Sequence, residues 1–69
     1  MILVSAYMGV DRAVIEEISK EIGAEIVGYI ELTNDYQLEF TEDRTAEELD
    51  MMIEFINSFS FISNATLNI

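Results

Sequence analysis

The sequence predicts an α+β domain with the element order β-α-β-β-α-β, and three observations carry that prediction. Apolar residues recur at helical spacing in two segments and alternate with polar ones in three others. A short apolar run opens the chain. Cap and turn residues, not linkers, separate these pieces, so residues 1–69 are expected to form a single domain.

Each element has its own signals. Residues Ile2 to Tyr7 are the apolar run, suited to a central strand that Gly9 breaks. Asp11 can cap a helix over residues 12–22 in which Val14, Ile15, Ile18 and Ile22 line one side. Val10 and Ile15 stand where a hydrophobic staple places them, and Gly23 supplies a left-handed stop. In "AEIVGYIEL", Ala24, Ile26, Gly28, Ile30 and Leu32 share one face of a second strand, with Glu25, Val27, Tyr29 and Glu31 on the other. "TND" reads as a turn into "YQLEF", whose Tyr36, Leu38 and Phe40 point inward, and the two runs make a hairpin. Thr45 and Glu48 form a capping box for a second helix with a core stripe of Leu49, Met52, Ile53, Ile56 and Phe59. Ala65, Leu67 and Ile69 alternate with Thr66 and Asn68 in a last strand. This is the ferredoxin-like split motif, expected as a four-stranded antiparallel sheet of order 4-1-3-2 with both helices on one face.

Composition narrows the function. The chain has no cysteine or histidine, which removes disulfides, thiolate chemistry and the usual zinc ligand sets; no cofactor or metal is expected. So short a chain builds a marginal core, and oligomerisation is the remaining device, so a homodimer is expected. Fourteen Asp and Glu against three Lys and Arg give a formal charge of −11, which repels nucleic acid and anionic membrane and attracts a basic surface. The opening residues lack a basic n-region, and no run reaches the length of a membrane span, so a cytoplasmic protein is expected.

Functions that this element order often carries fit poorly. RNA-recognition domains stack bases on aromatics of strands one and three. Here the corresponding face offers Leu3, Ser5 and Tyr7 with Gln37, Glu39 and Thr41, and only Tyr7 can stack. Metal-carrying domains of this topology need a Cys pair where this chain has "YMGVDRAV". No converging acid–base pair, phosphate-cradling loop or activated nucleophile is visible, and no enzyme activity is expected. The segment "MGVDRAVIEEISKEIGAEI", through Gly9, Ile18 and Gly23, resembles an ACT-type regulatory domain. That resemblance implies binding of a small ligand such as an amino acid at the "MGVD" loop and Arg12.

The stretch "TEDRTAEELDMMIEF" makes the strongest case for a binding role. Glu47, Asp50 and Glu54 stand three and four residues apart, and like charges at that spacing each cost roughly 0.2–0.5 kcal/mol. No base in the helix relieves them. Glu47 and Glu48 suit the helix dipole, whereas Glu54 gains nothing from it. In the first helix Glu16 is expected to pair with Lys20, while Glu17 and Glu21 repeat the like-charge spacing. Glu42 and Asp43 extend the row. Neighbouring side chains on a helix lie about 5–6 Å apart, near the spacing of successive phosphates. In size, charge and lack of cofactor chemistry the chain is similar to small acidic DNA-mimic proteins, many of them phage-encoded. These occupy the DNA site of a nucleoid protein, repair enzyme or CRISPR effector. An acidic assembly or adaptor subunit, and charge that serves solubility alone, are the other readings. Met51 and Phe55 beside the core stripe, and Val27 and Tyr29 on the open sheet face, are candidate apolar contacts for a partner or a second copy. The alternative for Met51 and Phe55 is packing against the "SFSF" segment or the end of strand four.

Overall fold

The computed structural model describes residues 1–68. Its elements are β1 (Ile2–Ala6), α1 (Arg12–Ile22), β2 (Ala24–Ile30), β3 (Asp35–Phe40), α2 (Ala46–Asn57) and β4 (Ile62–Leu67). The four strands form one antiparallel sheet of order β2-β3-β1-β4, with β1 and β3 central, as the split motif requires. Ile69, expected to point inward at the end of the last strand, lies outside the described residues.

One face of the sheet is a continuous apolar surface. Ile2 and Val4 stand opposite Leu38 and Tyr36 on one side and opposite Leu67 and Ala65 on the other. Ile2, Val4, Tyr36, Leu38 and Ala65 share a core with Ile15, Ile18 and Ile22 of α1 and Ile56 of α2, so both helices cover the same face. Fully burying such a side chain is worth about 1.5–3 kcal/mol. The helices lean outward: α1 packs chiefly on β2 and α2 on β4. Among the described residues, no helix is long and apolar enough to cross a membrane.

The caps are those that the sequence signals. The Asp11 carboxylate accepts from the Ala13 N–H, and Gly23 ends α1 in the left-handed conformation at φ 73°. At α2 the Glu48 N–H donates to the Thr45 hydroxyl (3.2 Å), and the Thr45 N–H donates to the Glu48 carboxylate (3.1 Å).

Four details differ from the expectation. β1 ends at Ala6, because Tyr7 leaves the ladder to donate its N–H to the Phe61 carbonyl (3.0 Å). Val14 is exposed, and its place in the core stripe goes to Ser19, whose hydroxyl satisfies itself on the Ile15 carbonyl (2.8 Å). The pairing of β2 with β3 shifts between Ile26 and Gly28, leaving Val27 as an extra residue. A bulge of this kind reverses the alternation beyond it. Gly28 and Ile30 therefore turn to the open face, Leu32 stands 87% exposed at the hairpin tip, and Tyr29 turns in beside Tyr36. A Cβ at Gly28 would meet the end of the Gln37 side chain, which lies across this position on the open face.

The fourth difference is Asn34, which the sequence marks only as a turn residue. It adopts φ 55° and is buried. Its amide oxygen accepts from the Tyr29 and Tyr36 hydroxyls, both at 3.1 Å. Its amide N–H groups donate to the carbonyls of Tyr7 (3.0 Å) and Val10 (3.3 Å). All four hydrogen-bonding positions of the amide are filled. Asn34 thus ties the β2–β3 hairpin to the loop between β1 and α1.

Candidate interaction surface

The acidic row begins at the α2 cap. With Thr45 in extended conformation at ψ 162°, the first turn presents Glu47 and Glu48 at the positive end of the helix dipole. Hydrogen bonds from Thr45, its backbone N–H first and its hydroxyl second, hold the Glu48 carboxyl below its ordinary value of 4.5. Glu48 therefore belongs both to the cap and to the charged surface. Asp50 and Glu54 continue along α2, which has no basic residue in its last turn, and all four acids are exposed.

The three cations lie elsewhere. Arg12 reaches forward one turn to Glu16 (Nε to carboxylate, 3.1 Å), which leaves Lys20 to approach Glu17 at 4.0 Å. The expected Glu16–Lys20 pair is replaced because Arg12 also sits four residues from Glu16. Arg44 is drawn inward. Its guanidinium lies over the Phe40 ring (5.3 Å), donates to the Asp43 carbonyl, and meets the Glu42 carboxylate only at 3.9 Å. Its terminal nitrogen sits within 2.6 Å of where a Gly23 Cβ would be, at the negative end of α1. Among the described residues, Glu21, Asp43, Glu47, Glu48, Asp50 and Glu54 have no Lys or Arg at ion-pair distance. Nor do three or more carboxylates in those residues converge on one point, so the charge is spread along surfaces.

The apolar candidates divide. Phe55 rests edge-on against Phe59 (centroids 5.2 Å, 80°), and Phe59 in turn meets Phe61, so it partly follows the packing alternative. Met51 is 70% exposed. Val27 stands 52% exposed at the bulge. Tyr29 does not belong to the open sheet face. The phase reversal puts its ring 4.8 Å from that of Tyr36, on the helix side.

The loop at "MGVD" is held by its own chain. The Tyr7 and Val10 carbonyls accept from Asn34, Gly9 takes φ 95°, and Arg12 is engaged by Glu16. Tyr7 lies in this loop and not on the sheet. The open face carries Gln37 and Glu39, and Glu39 stands directly opposite Glu25. Like charges so placed are destabilising.

Sequence reasoning missed two features. Asn57 at the end of α2 donates to the Ala65 carbonyl (3.0 Å) and accepts from the Ala65 N–H (2.8 Å), occupying the outer edge of β4. An unpaired sheet edge invites another strand, and this contact covers part of one. Ile22 and Met52, both read as core, also floor a groove between the helices. A lone Asn at the end of a helix gives no signal of the first feature. The second depends on how far apart the helices sit. Compared with protein-family models, curated proteins and solved structures, the chain has no significant match.

Proposed function

We propose that this chain is a small acidic protein-binding inhibitor that acts as a DNA mimic, occupying the basic DNA-binding surface of another protein. One observation carries the reading. Glu47, Glu48, Asp50 and Glu54 are exposed on a firmly capped helix, and among the described residues no Lys or Arg forms an ion pair with any of them. Each uncompensated pair costs the fold a few tenths of a kcal/mol, in a domain small enough for that to matter. Charge kept at such a cost is available to a partner. Glu21 adds to the same sign on α1, while Glu16 and Glu17 are partly neutralised by Arg12 and Lys20. A row of this kind speeds the encounter with a basic surface and weakens with salt.

The test uses the immobilised protein and a bacterial lysate at low and high salt, with and without duplex DNA. A DNA-binding protein that is retained at low salt and released by DNA or by salt is the expected result. The triple variant E47K/D50K/E54K, checked for folding by circular dichroism, should lose that capture. Capture that survives the triple variant, or that duplex DNA does not disturb, would overturn the reading and favour an adaptor role.

A further inference from the structure

A groove of about 360 Å³ runs between the helices, lined by Ile22 and Glu21 of α1 and by Glu48, Met51, Met52 and Phe55 of α2. It lies between α1, which leans on β2, and α2, which leans on β4. Its lining is mostly apolar. Ile22 is buried and Met52 half-buried at the floor, whereas Met51 and Phe55 present apolar surface to solvent. Both walls end in a carboxylate, Glu21 on one side and Glu48 on the other, and no Lys or Arg lines the groove.

We infer that this groove is a docking site for a basic amphipathic helix of a partner protein, one with a short apolar stripe flanked by Lys or Arg. The inference rests on the proposed binding of a basic partner and adds its location and secondary structure. Two helical walls with an apolar floor suit a helix laid between them, anchored by side chains three and four residues apart. Charge complementarity identifies the occupant. Flanking cations would meet Glu21 and Glu48 at the rims, with Glu47 and Asp50 beyond. A second copy would bring its own acidic α2 against these same rims. The two methionines add tolerance, since unbranched thioether side chains adapt to anchors of different shape.

The experiment uses the whole chain with methyl-labelled methionine and a designed helical peptide of about 18 residues, or five turns. The peptide places Leu at spacings of three and four and Lys on the flanks. One control shuffles the same residues so that no apolar stripe forms, and another replaces Lys by Glu. Of the four methionines, Met51 and Met52 line the groove, while Met8, 70% exposed in the β1–α1 loop, serves as an internal reference. The expected result is that the Leu/Lys peptide shifts the Met51 and Met52 methyl signals and leaves Met8 in place. Both controls should bind at least about tenfold more weakly, as loss of one well-buried anchor contact alone would give. Met51→Gln, which keeps length and charge while removing an apolar contact, should weaken binding by about the same factor.

Equal binding of the shuffled peptide, shifts centred on Met8, or an unchanged affinity for M51Q would each overturn the inference. So would concentration-dependent shifts of Met51 and Met52 in the protein alone, which would make a second copy the occupant. The two readings fail separately. If E47K/D50K/E54K abolishes capture of a DNA-binding protein but M51Q leaves peptide affinity unchanged, the charged surface stands without the groove. If the peptide maps to Met51 and Met52 but capture ignores the triple variant, the groove stands without the mimic.

Discussion

Asn34 and Glu54 are both polar side chains, one in the β2–β3 turn and one in α2, and their surroundings differ in kind. Asn34 is buried, with both amide N–H groups and its oxygen fully partnered by Tyr7, Val10, Tyr29 and Tyr36. Glu54 is exposed near the end of α2 that disfavours negative charge, one turn beyond Asp50, with no cation beside it. Removing the first leaves the buried Tyr36 hydroxyl without a partner, at about 1–3 kcal/mol, and unpairs three part-buried groups besides. Removing the second relieves the helix. A polar group with a complete set of partners serves the fold, whereas a charge held where it weakens the fold is open to something outside it.

The largest expected effect tests the first half of that contrast. Asn34→Ala should destabilise the domain by roughly 2–4 kcal/mol, read by urea denaturation, because it strips four hydrogen bonds and leaves a left-handed φ. Asn34→Gly tolerates that φ and should recover about 1 kcal/mol of the loss. If both variants unfold like the parent, the Asn34 cluster is a bystander. The cluster also predicts an alkaline limit. Burial first, and the neighbouring Tyr29 second, push the Tyr36 hydroxyl above its ordinary value of 10.0. A group raised in the folded state supports the fold in full below its unfolded value and loses that support as pH climbs through the folded one. Stability should therefore begin to fall above pH 10.0. Tyr36→Phe should flatten that slope.

The contrast also explains what could be seen in advance. The caps at Asp11, Gly23 and Thr45 with Glu48 are local, set by residues within one turn, and the structure has each of them. The helix and strand periodicities are also written in nearest neighbours. The sheet order, which joins β1 to β3 and β4 across the chain, follows from the split motif that those elements make in sequence. Asn34 is different, since its partners Tyr7 and Val10 lie 27 and 24 residues away and only the folded chain joins them. The bulge at Val27 was hidden because strict alternation reads the same with or without an unpaired residue until the partner strand sets the register. That one residue moved Tyr29 and Ile30 to the other side. The acidic row of α2 was plain in the sequence, but Arg44 turning inward to Phe40 and Gly23 was not. The groove depends on the separation of two helices, which no helix records by itself.

A smaller effect sits where the two kinds of polar group meet. Thr45→Ala removes the α2 cap and should cost about 1 kcal/mol at neutral pH, again by urea denaturation. Because Thr45 holds the Glu48 carboxyl low, that carboxylate supports the fold above its ordinary 4.5 and loses that support as pH falls through its folded value. The gap between wild type and T45A should accordingly narrow as pH drops below 4.5. A gap that stays constant through that range would mean that the Thr45 hydroxyl adds nothing to the hold on Glu48. The backbone N–H of residue 45, which T45A keeps, would then be its partner in the cap.

The smallest stability change has the opposite sign. Glu54→Lys places a cation in the last turn of α2 and turns the Asp50 contact from repulsion to attraction. It should raise stability by roughly 0.3–1 kcal/mol at low ionic strength, and added salt should shrink the gain by screening both contacts. The same change should weaken capture of a basic partner. A variant that is more stable yet binds less would mean that the acid is kept for contact and not for folding. Should E54K gain stability with capture unaffected, the useful charge would lie nearer the α2 N-terminus, at Glu47 and Asp50. Should it gain no stability, Glu54 would cost the fold nothing, and the contrast with Asn34 would lose its second half.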